Sequence, residues 1–341
     1  MQPLVFVFTA NFYYPMYNVP QYRIVLFMKA FAGLSLILLT LASALQPLFA
    51  QQEATTDPYA QLSVSELQTK AENEDAKAMS ELGTRYYYGK GVPEDAETAI
   101  EWWEKAAEQG NARAQYNLGL CYAEGIGVMS NPTLAVDWYE KAAQQGLAIA
   151  QARLGESYAY GIGVLQDDAE AAKWYKKAAE AGEEEAQMYM ASAYASGMGV
   201  KRSYQKAAEW YEMAAEAGNA DAAIELGRYY AEGKGVEESA ERAVYYYRKA
   251  AEQGLKEAEY LLGMAYRTGN GVARNNASAA KWWQKAAKQG HARAQFNLGQ
   301  FYHYGIGVDK DKRKALRWLQ AAANSGHQGA EDFIEKHNLN R

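Results

Sequence analysis

A period of 36 residues runs through most of this chain and fixes what it can fold into. Glycine recurs at Gly110, Gly146, Gly182, Gly218, Gly254, Gly290 and Gly326. Tyrosine recurs at Tyr86, Tyr122, Tyr158, Tyr194, Tyr230, Tyr266 and Tyr302. Self-similarity at this spacing marks an array of stacked units, each burying its apolar face against the next. Arrays of this kind usually bind rather than catalyse.

One copy, residues 111–146, shows the physical logic. Ala114, Leu118, Gly119 and Tyr122 share one face of a helix. Gly125-Ile126-Gly127-Val128 follows, where two glycines end the helix in left-handed backbone and the valine returns to the core. Ala135, Trp138, Tyr139, Ala142 and Ala143 form one face of a second helix, which Gly146 ends.

The start of the second helix can be checked in every copy. Its expected N-caps are Asp95, Asn131, Asp167, Ser203, Ser239, Asn275 and Asp311, all residue types that accept from the free N–H groups of a first turn. Small residues also recur in register, at Ala99 and its six equivalents and at Gly83, Gly119, Gly155, Ala191, Gly227, Gly263 and Gly299. They let paired helices approach closely. Trp102, Trp138, Trp174, Trp210, Tyr246, Trp282 and Trp318 are expected to form an aromatic ladder of core residues between the pairs.

The pattern A-x-x-x-L-G-x-x-Y-x-x-G-x-G-V followed by A-x-x-W-Y-x-x-A-A-x-x-G resembles the Sel1-like repeat family, relatives of tetratricopeptide repeats. The resemblance covers seven copies over residues 76–327. It implies an all-α, right-handed α/α superhelical solenoid with a concave groove, and a role as adaptor or scaffold in protein complexes. Some secreted members of the family are cysteine-rich, with a disulfide in each repeat. This chain has one cysteine, Cys121, so their link to β-lactams does not carry over.

The flanks read differently. Residues 1–27 are aromatic and apolar without repeat logic and are expected to be an upstream extension from a mis-assigned start, with Met28 the true one. Lys29, the apolar run 30–45 and Leu48-Phe49-Ala50 have the form of a secretory signal peptide, residues 28–50, cleaved after Ala50. No cysteine follows that run, so no lipoprotein anchor is expected. Residues 51–61 read as a linker, 62–75 as an N-terminal capping helix and 328–341 as a C-terminal capping helix. The expected location is therefore periplasmic or secreted, with no stable membrane insertion after cleavage.

The formal charge is −6. No strongly basic face is evident, which argues against nucleic acid as the partner. Cys121 has no histidine at a helically adjacent position and reads as a small buried residue rather than a nucleophile. His291 and His327 occupy equivalent positions, but no acidic or cysteine ligand joins them at short spacing. The G-x-G-V loops lack the lysine and serine of a phosphate cradle and follow no strand. Neither catalytic residues nor a cofactor or metal site are expected.

What remains is surface. By analogy with tetratricopeptide repeats, a groove is lined by first-helix positions one repeat apart. These rows differ from copy to copy while the core rows do not. The candidate groove residues are Tyr116, Leu120, Met188, Ile224, Arg228, Tyr260, Met264, Arg267, Phe296 and His303. Tyr260, Met264, Phe296 and Arg267 form the most ligand-like patch. Packing of the first row, Tyr116 to Phe296, against neighbouring repeats is an equal alternative. The function expected is a non-enzymatic protein- or peptide-binding adaptor. A cell-wall or β-lactam-related hydrolase and a structural spacer in an envelope assembly are the alternatives.

Overall fold

The computed structural model describes residues 57–339. The upstream extension, the signal peptide with its cleavage site and the start of the linker lie outside the described residues. Two units are distinguished, divided after Ser63. In the first, the expected linker holds a single turn of 3-10 helix, Pro58–Gln61, whose N-cap Asp57 accepts from Tyr59 N.

The second unit is an array of α-helices, sixteen among the described residues. Helix α1 (Val64–Glu72) comes first and packs on the first repeat. The seven repeats supply α2 (Ala76–Tyr88) and α3 (Ala96–Glu108), α4 (Ala112–Glu124) and α5 (Pro132–Gln144), α6 (Ala148–Tyr160) and α7 (Asp168–Glu180), α8 (Glu184–Ser196) and α9 (Tyr204–Ala217), α10 (Ala220–Glu232) and α11 (Ala240–Glu252), α12 (Lys256–Thr268) and α13 (Asn276–Lys288), and α14 (Ala292–Tyr304) and α15 (Lys312–Asn324). Helix α16 (Gly329–Lys336) follows and packs on the seventh repeat. Each helix packs chiefly on the one before and the one after, most extensively on its partner within the repeat. This is an all-α solenoid.

All seven expected N-caps of the second helices are formed. Asp95 accepts from Thr98 N, Asn131 from Leu134 N, Asp167 from Ala169 N and Glu170 N, and Ser203 from Lys206 N. Ser239, Asn275 and Asp311 accept in the same way from Arg242 N, Ser278 N and Lys314 N. First-helix starts are less uniform: Leu147, Glu183 and Leu255 make no side-chain cap.

The aromatic ladder is displaced by one residue from its expected place. In five repeats the ring that packs on the small position is the second of two adjacent aromatics. Trp103 lies against Gly83, Tyr139 against Gly119, Tyr175 against Gly155, Tyr247 against Gly227 and Trp283 against Gly263. Within the expected ladder, Trp174 and Tyr246 are buried, but Trp102, Trp138, Trp210, Trp282 and Trp318 keep part of their surface. A lysine one turn later covers four of these rings: Lys105 over Trp102, Lys141 over Trp138, Lys177 over Trp174 and Lys285 over Trp282, with Nζ 3.8–4.5 Å from the ring centres. Both aromatics fit a helical face by spacing; only the approach of the first helix decides which is the core member.

The second glycine of each G-x-G loop joins neighbouring repeats. At Gly163, Gly199, Gly235, Gly271 and Gly307, φ is between +68° and +74°. In each case a Cβ would run into the backbone at the start of the preceding repeat's second helix. The glycine there serves a close approach as well as a turn.

A polar row adds a second link. Gln115, Gln151, Gln187 and Gln295 are buried, and each Nε2 donates to the carbonyl eight residues back, at the end of the preceding second helix, over 3.1–3.3 Å.

Candidate functional site

The first helices of the sixth and seventh repeats border a cleft of about 650 Å³. Tyr260, Met264, Arg267 and Thr268 of α12 form one wall. Asn297, Gln300, Phe301 and Tyr304 of α14 form the other. Trp283 of α13 lies between them, and Arg274 and Ile306 come from the two G-x-G-V loop regions. The lining is mixed, with aromatic and aliphatic side chains beside two arginines, Thr268, Asn297 and Gln300.

The local sequence explains how these side chains are held. Trp283 is almost fully buried, and its Nε1 donates to the Tyr260 carbonyl over 3.2 Å. The Phe301 ring meets it edge-on at 4.9 Å. The Arg267 guanidinium lies over the Phe301 ring at 5.4 Å, a cation–π contact that leaves its N–H groups available. The Tyr260 ring stacks on His291 at 4.5 Å, and His291 Nε2 is 3.0 Å from Glu257 Oε2. The same carboxylate accepts from Arg228 over 2.9 Å, and Arg228 also pairs with Glu225. These bonds hold the Glu257 carboxyl below its ordinary range, first through His291 and then through Arg228. The wall carrying Tyr260 is thus anchored to repeats on both sides.

The candidate residues separate into groups. Tyr260, Met264 and Arg267 come together on this cleft. Tyr116 and Ile224 are buried, at 7% and 5% exposure, which takes them off the surface. For these two positions the packing alternative holds, since each meets a neighbour's core. Leu120 and Met188 are half-buried and pack on core clusters. Arg228 is committed to its two glutamates.

Phe296 and His303 belong to an aromatic group under α16, which adjoins the cleft through Tyr304, 4.6 Å from His303. Phe296 stacks on His327 at 4.1 Å, and His303 sits 4.8 Å from His337 and 5.5 Å from Phe333. Phe296 is therefore parted from the other members of the expected ligand-like patch. Sequence reasoning missed Arg274, Phe301 and Tyr304. Arg274 lies outside the first-helix rows, although a second arginine in the same repeat was visible.

Cys121 is 2% exposed, and burial pushes its thiol up to about 12, so it stays protonated. Among the described residues no three His, Cys, Asp or Glu side chains are grouped to hold a metal ion. No helix among them is long and apolar enough to cross a membrane.

An all-α array of paired helices, with a cleft built from positions that vary between copies, defines a helical-repeat protein. The chain belongs to the Sel1 repeat family: the family profile matches residues 76–111, 112–147, 148–183, 184–219, 220–255, 256–291 and 292–327. Among solved structures, it is similar to c5321, a protective antigen present in uropathogenic Escherichia coli strains that displays an SLR fold. The identity is 39%, covering 80% of this chain and 58% of that one, with a TM-score of 0.75. The chain thus spans little more than half the length of that antigen. It is also similar to a Sel1 repeat protein from Oxalobacter formigenes, at 37% identity over 80% of this chain and 79% of the other, with a TM-score of 0.61. No protein of curated function matches.

Proposed function

We propose that the protein is an exported scaffold that captures a protein or peptide segment in the cleft between α12 and α14, and that it is not an enzyme. Sel1 repeat proteins typically serve as protein-interaction scaffolds. The observation that carries the cleft assignment is the meeting of Tyr260, Met264 and Arg267 beside an open volume. Core rows are constrained by the stack and cannot distinguish partners, whereas aromatic and arginine side chains on variable rows are typical interface anchors. The export half of the reading is supported by the residue pattern at 28–50, which has the form of a secretory signal peptide.

Capture from native envelope material tests the cleft. Tyr260→Ala with Arg267→Ala is expected to abolish capture while the helical circular dichroism spectrum is kept and the melt stays cooperative. Lys281→Ala with Lys288→Ala, exposed on α13, should leave capture intact. Loss of capture with the lysine pair but not with the cleft pair moves the binding surface to the second helices. Intact mass of the protein from its native host tests export, with residue 51 expected as the first.

A further inference from the structure

The charge of this chain is unevenly spread, and its net acidity conceals a basic part in the sixth and seventh repeats. Residues 256–327 carry 12 Lys and Arg against 4 Asp and Glu, a net of +8, while the rest carries 23 against 37, a net of −14. The cleft lies within the basic part. Its lining includes Arg267 and Arg274 and no acidic residue.

Arg267, on the first helix of its repeat, differs from three other first-helix arginines. Arg85 pairs with Glu81, Arg153 with Glu156, and Arg228 with Glu225 and Glu257. Each has a glutamate within one helical turn. Around Arg267 the neighbouring turns offer Gly263 and Met264 on one side and Asn270 and Gly271 on the other. Glu257, the acidic group nearest in sequence to Tyr260 among the anchoring residues, is already occupied by Arg228 and His291.

On the reading that this cleft binds a partner segment, we infer that the segment is acidic: an extended peptide stretch carrying carboxylates beside an aromatic or large aliphatic side chain. Guanidinium groups recognise carboxylates through paired, charge-assisted hydrogen bonds. The apolar side chain of the ligand meets Tyr260 and Met264, over a floor that the buried Phe301 and Trp283 form. The acidic remainder of the array repels such a segment from the other repeats, so the field directs it to this end.

Labelled peptides and fluorescence anisotropy test this on the full chain. Three eight-residue probes share two phenylalanines and differ only in their other residues, which are Asp and Glu, Asn and Gln, or Lys. The acidic probe is expected to bind, and to weaken as salt rises through the range where the screening length falls below about 10 Å. Arg267→Gln and Arg274→Gln should each weaken it about tenfold or more, as expected for loss of a charged hydrogen bond. Lys281→Gln should not. Equal binding of the amide probe, lost on Tyr260→Ala, overturns the charge inference and leaves the cleft reading standing. Acidic-probe binding indifferent to Tyr260→Ala, Arg267→Gln and Arg274→Gln overturns both. Preference for a labelled single-stranded oligonucleotide over the acidic probe, or binding of none of the three peptides, also overturns the inference; partner capture by the Tyr260 and Arg267 pair then decides the cleft separately.

Discussion

The Trp283 indole lies against Gly263 so closely that a side chain there would put its Cβ inside van der Waals contact with Cδ1 and Nε1. The same indole lines the cleft between α12 and α14. One contact therefore sets both how near the two helices of the sixth repeat come and how deep the candidate site is.

Gly263→Ala is expected to destabilise the protein modestly. Overpacking costs about 1–3 kcal/mol, offset by about 0.5–1 kcal/mol from the better helix propensity of alanine. The fourth repeat accommodates a methyl here, Ala191, in the same core cluster as Tyr211, so the strain is one that a ring shift can relieve. Trp283→Ala should cost more, about 3–5 kcal/mol, by emptying a fully buried site. Chemical denaturation checks both; a higher midpoint for Gly263→Ala would show that propensity outweighs the contact.

The two kinds of conserved-register glycine should respond differently to alanine. At Gly199 a Cβ would fall on the Asp168 carbonyl oxygen, and φ is +68°. At Gly182 φ is +98°, but nothing lies within 4 Å. Gly182→Ala then meets only backbone strain of about 1–2 kcal/mol. Gly199→Ala adds a backbone collision that only separation of the third and fourth repeats relieves. Thermal melts of the pair should place Gly199→Ala well below Gly182→Ala, and equal midpoints would remove the loop's role in stacking.

Acidification should loosen the C-terminal cap. Burial first, and then the nearby His337, Lys310 and Lys312, hold His303 below its ordinary value of 6.5. Burial does the same to His327. A histidine whose folded-state value is depressed adds stability above its unfolded value, and this is lost as pH falls through the folded one. Hydrogen exchange in α16 is therefore expected to speed up below about pH 6.5 relative to α12. His303→Asn should flatten that dependence. Exchange in α16 that tracks α12 at every pH would detach the cap from these histidines.

Much of this fold can be read directly from residue spacing. The period, the helix ends and all seven second-helix caps follow from local rules, because caps and left-handed glycines act within a few residues. What spacing could not decide was which of two adjacent aromatics, Trp138 or Tyr139, faces Gly119, since both lie within one broad apolar stripe. The same ambiguity affects the site. Tyr116, Ile224 and Tyr260 hold one repeat position, yet the first two are buried and the third lines a cleft. They pack against different core clusters, a relationship between copies that no single copy contains. Arg274 was overlooked because it precedes an N-cap, outside any helical row.

The buried polar row gives the last prediction. In four repeats a glutamine amide donates to the carbonyl eight residues back. In the sixth repeat the position is Glu259, 3% exposed, and the corresponding carbonyl is that of Ala251. An ionised carboxylate has no proton to donate there. Gln289 Nε2 donates to Glu259 Oε2 over 2.9 Å, which supplies one partner. Burial nevertheless raises the Glu259 carboxyl above its ordinary value of 4.5, against the lowering by Lys285 and Gln289. A group raised on folding contributes stability that is full below its unfolded value and lost as pH rises through its folded one. At neutral pH the sixth repeat thus lacks the amide link that Gln295 gives the seventh. Glu259→Gln restores the amide and should stabilise the array by about 0.5–1.5 kcal/mol, the usual worth of such a hydrogen bond. The gain should shrink as pH falls toward the ordinary glutamate range, where the protonated acid donates for itself. Melting temperatures of both proteins across that range check this; a gain that is constant with pH, or a loss at neutral pH, would mean that Glu259 is held by partners other than the missing proton.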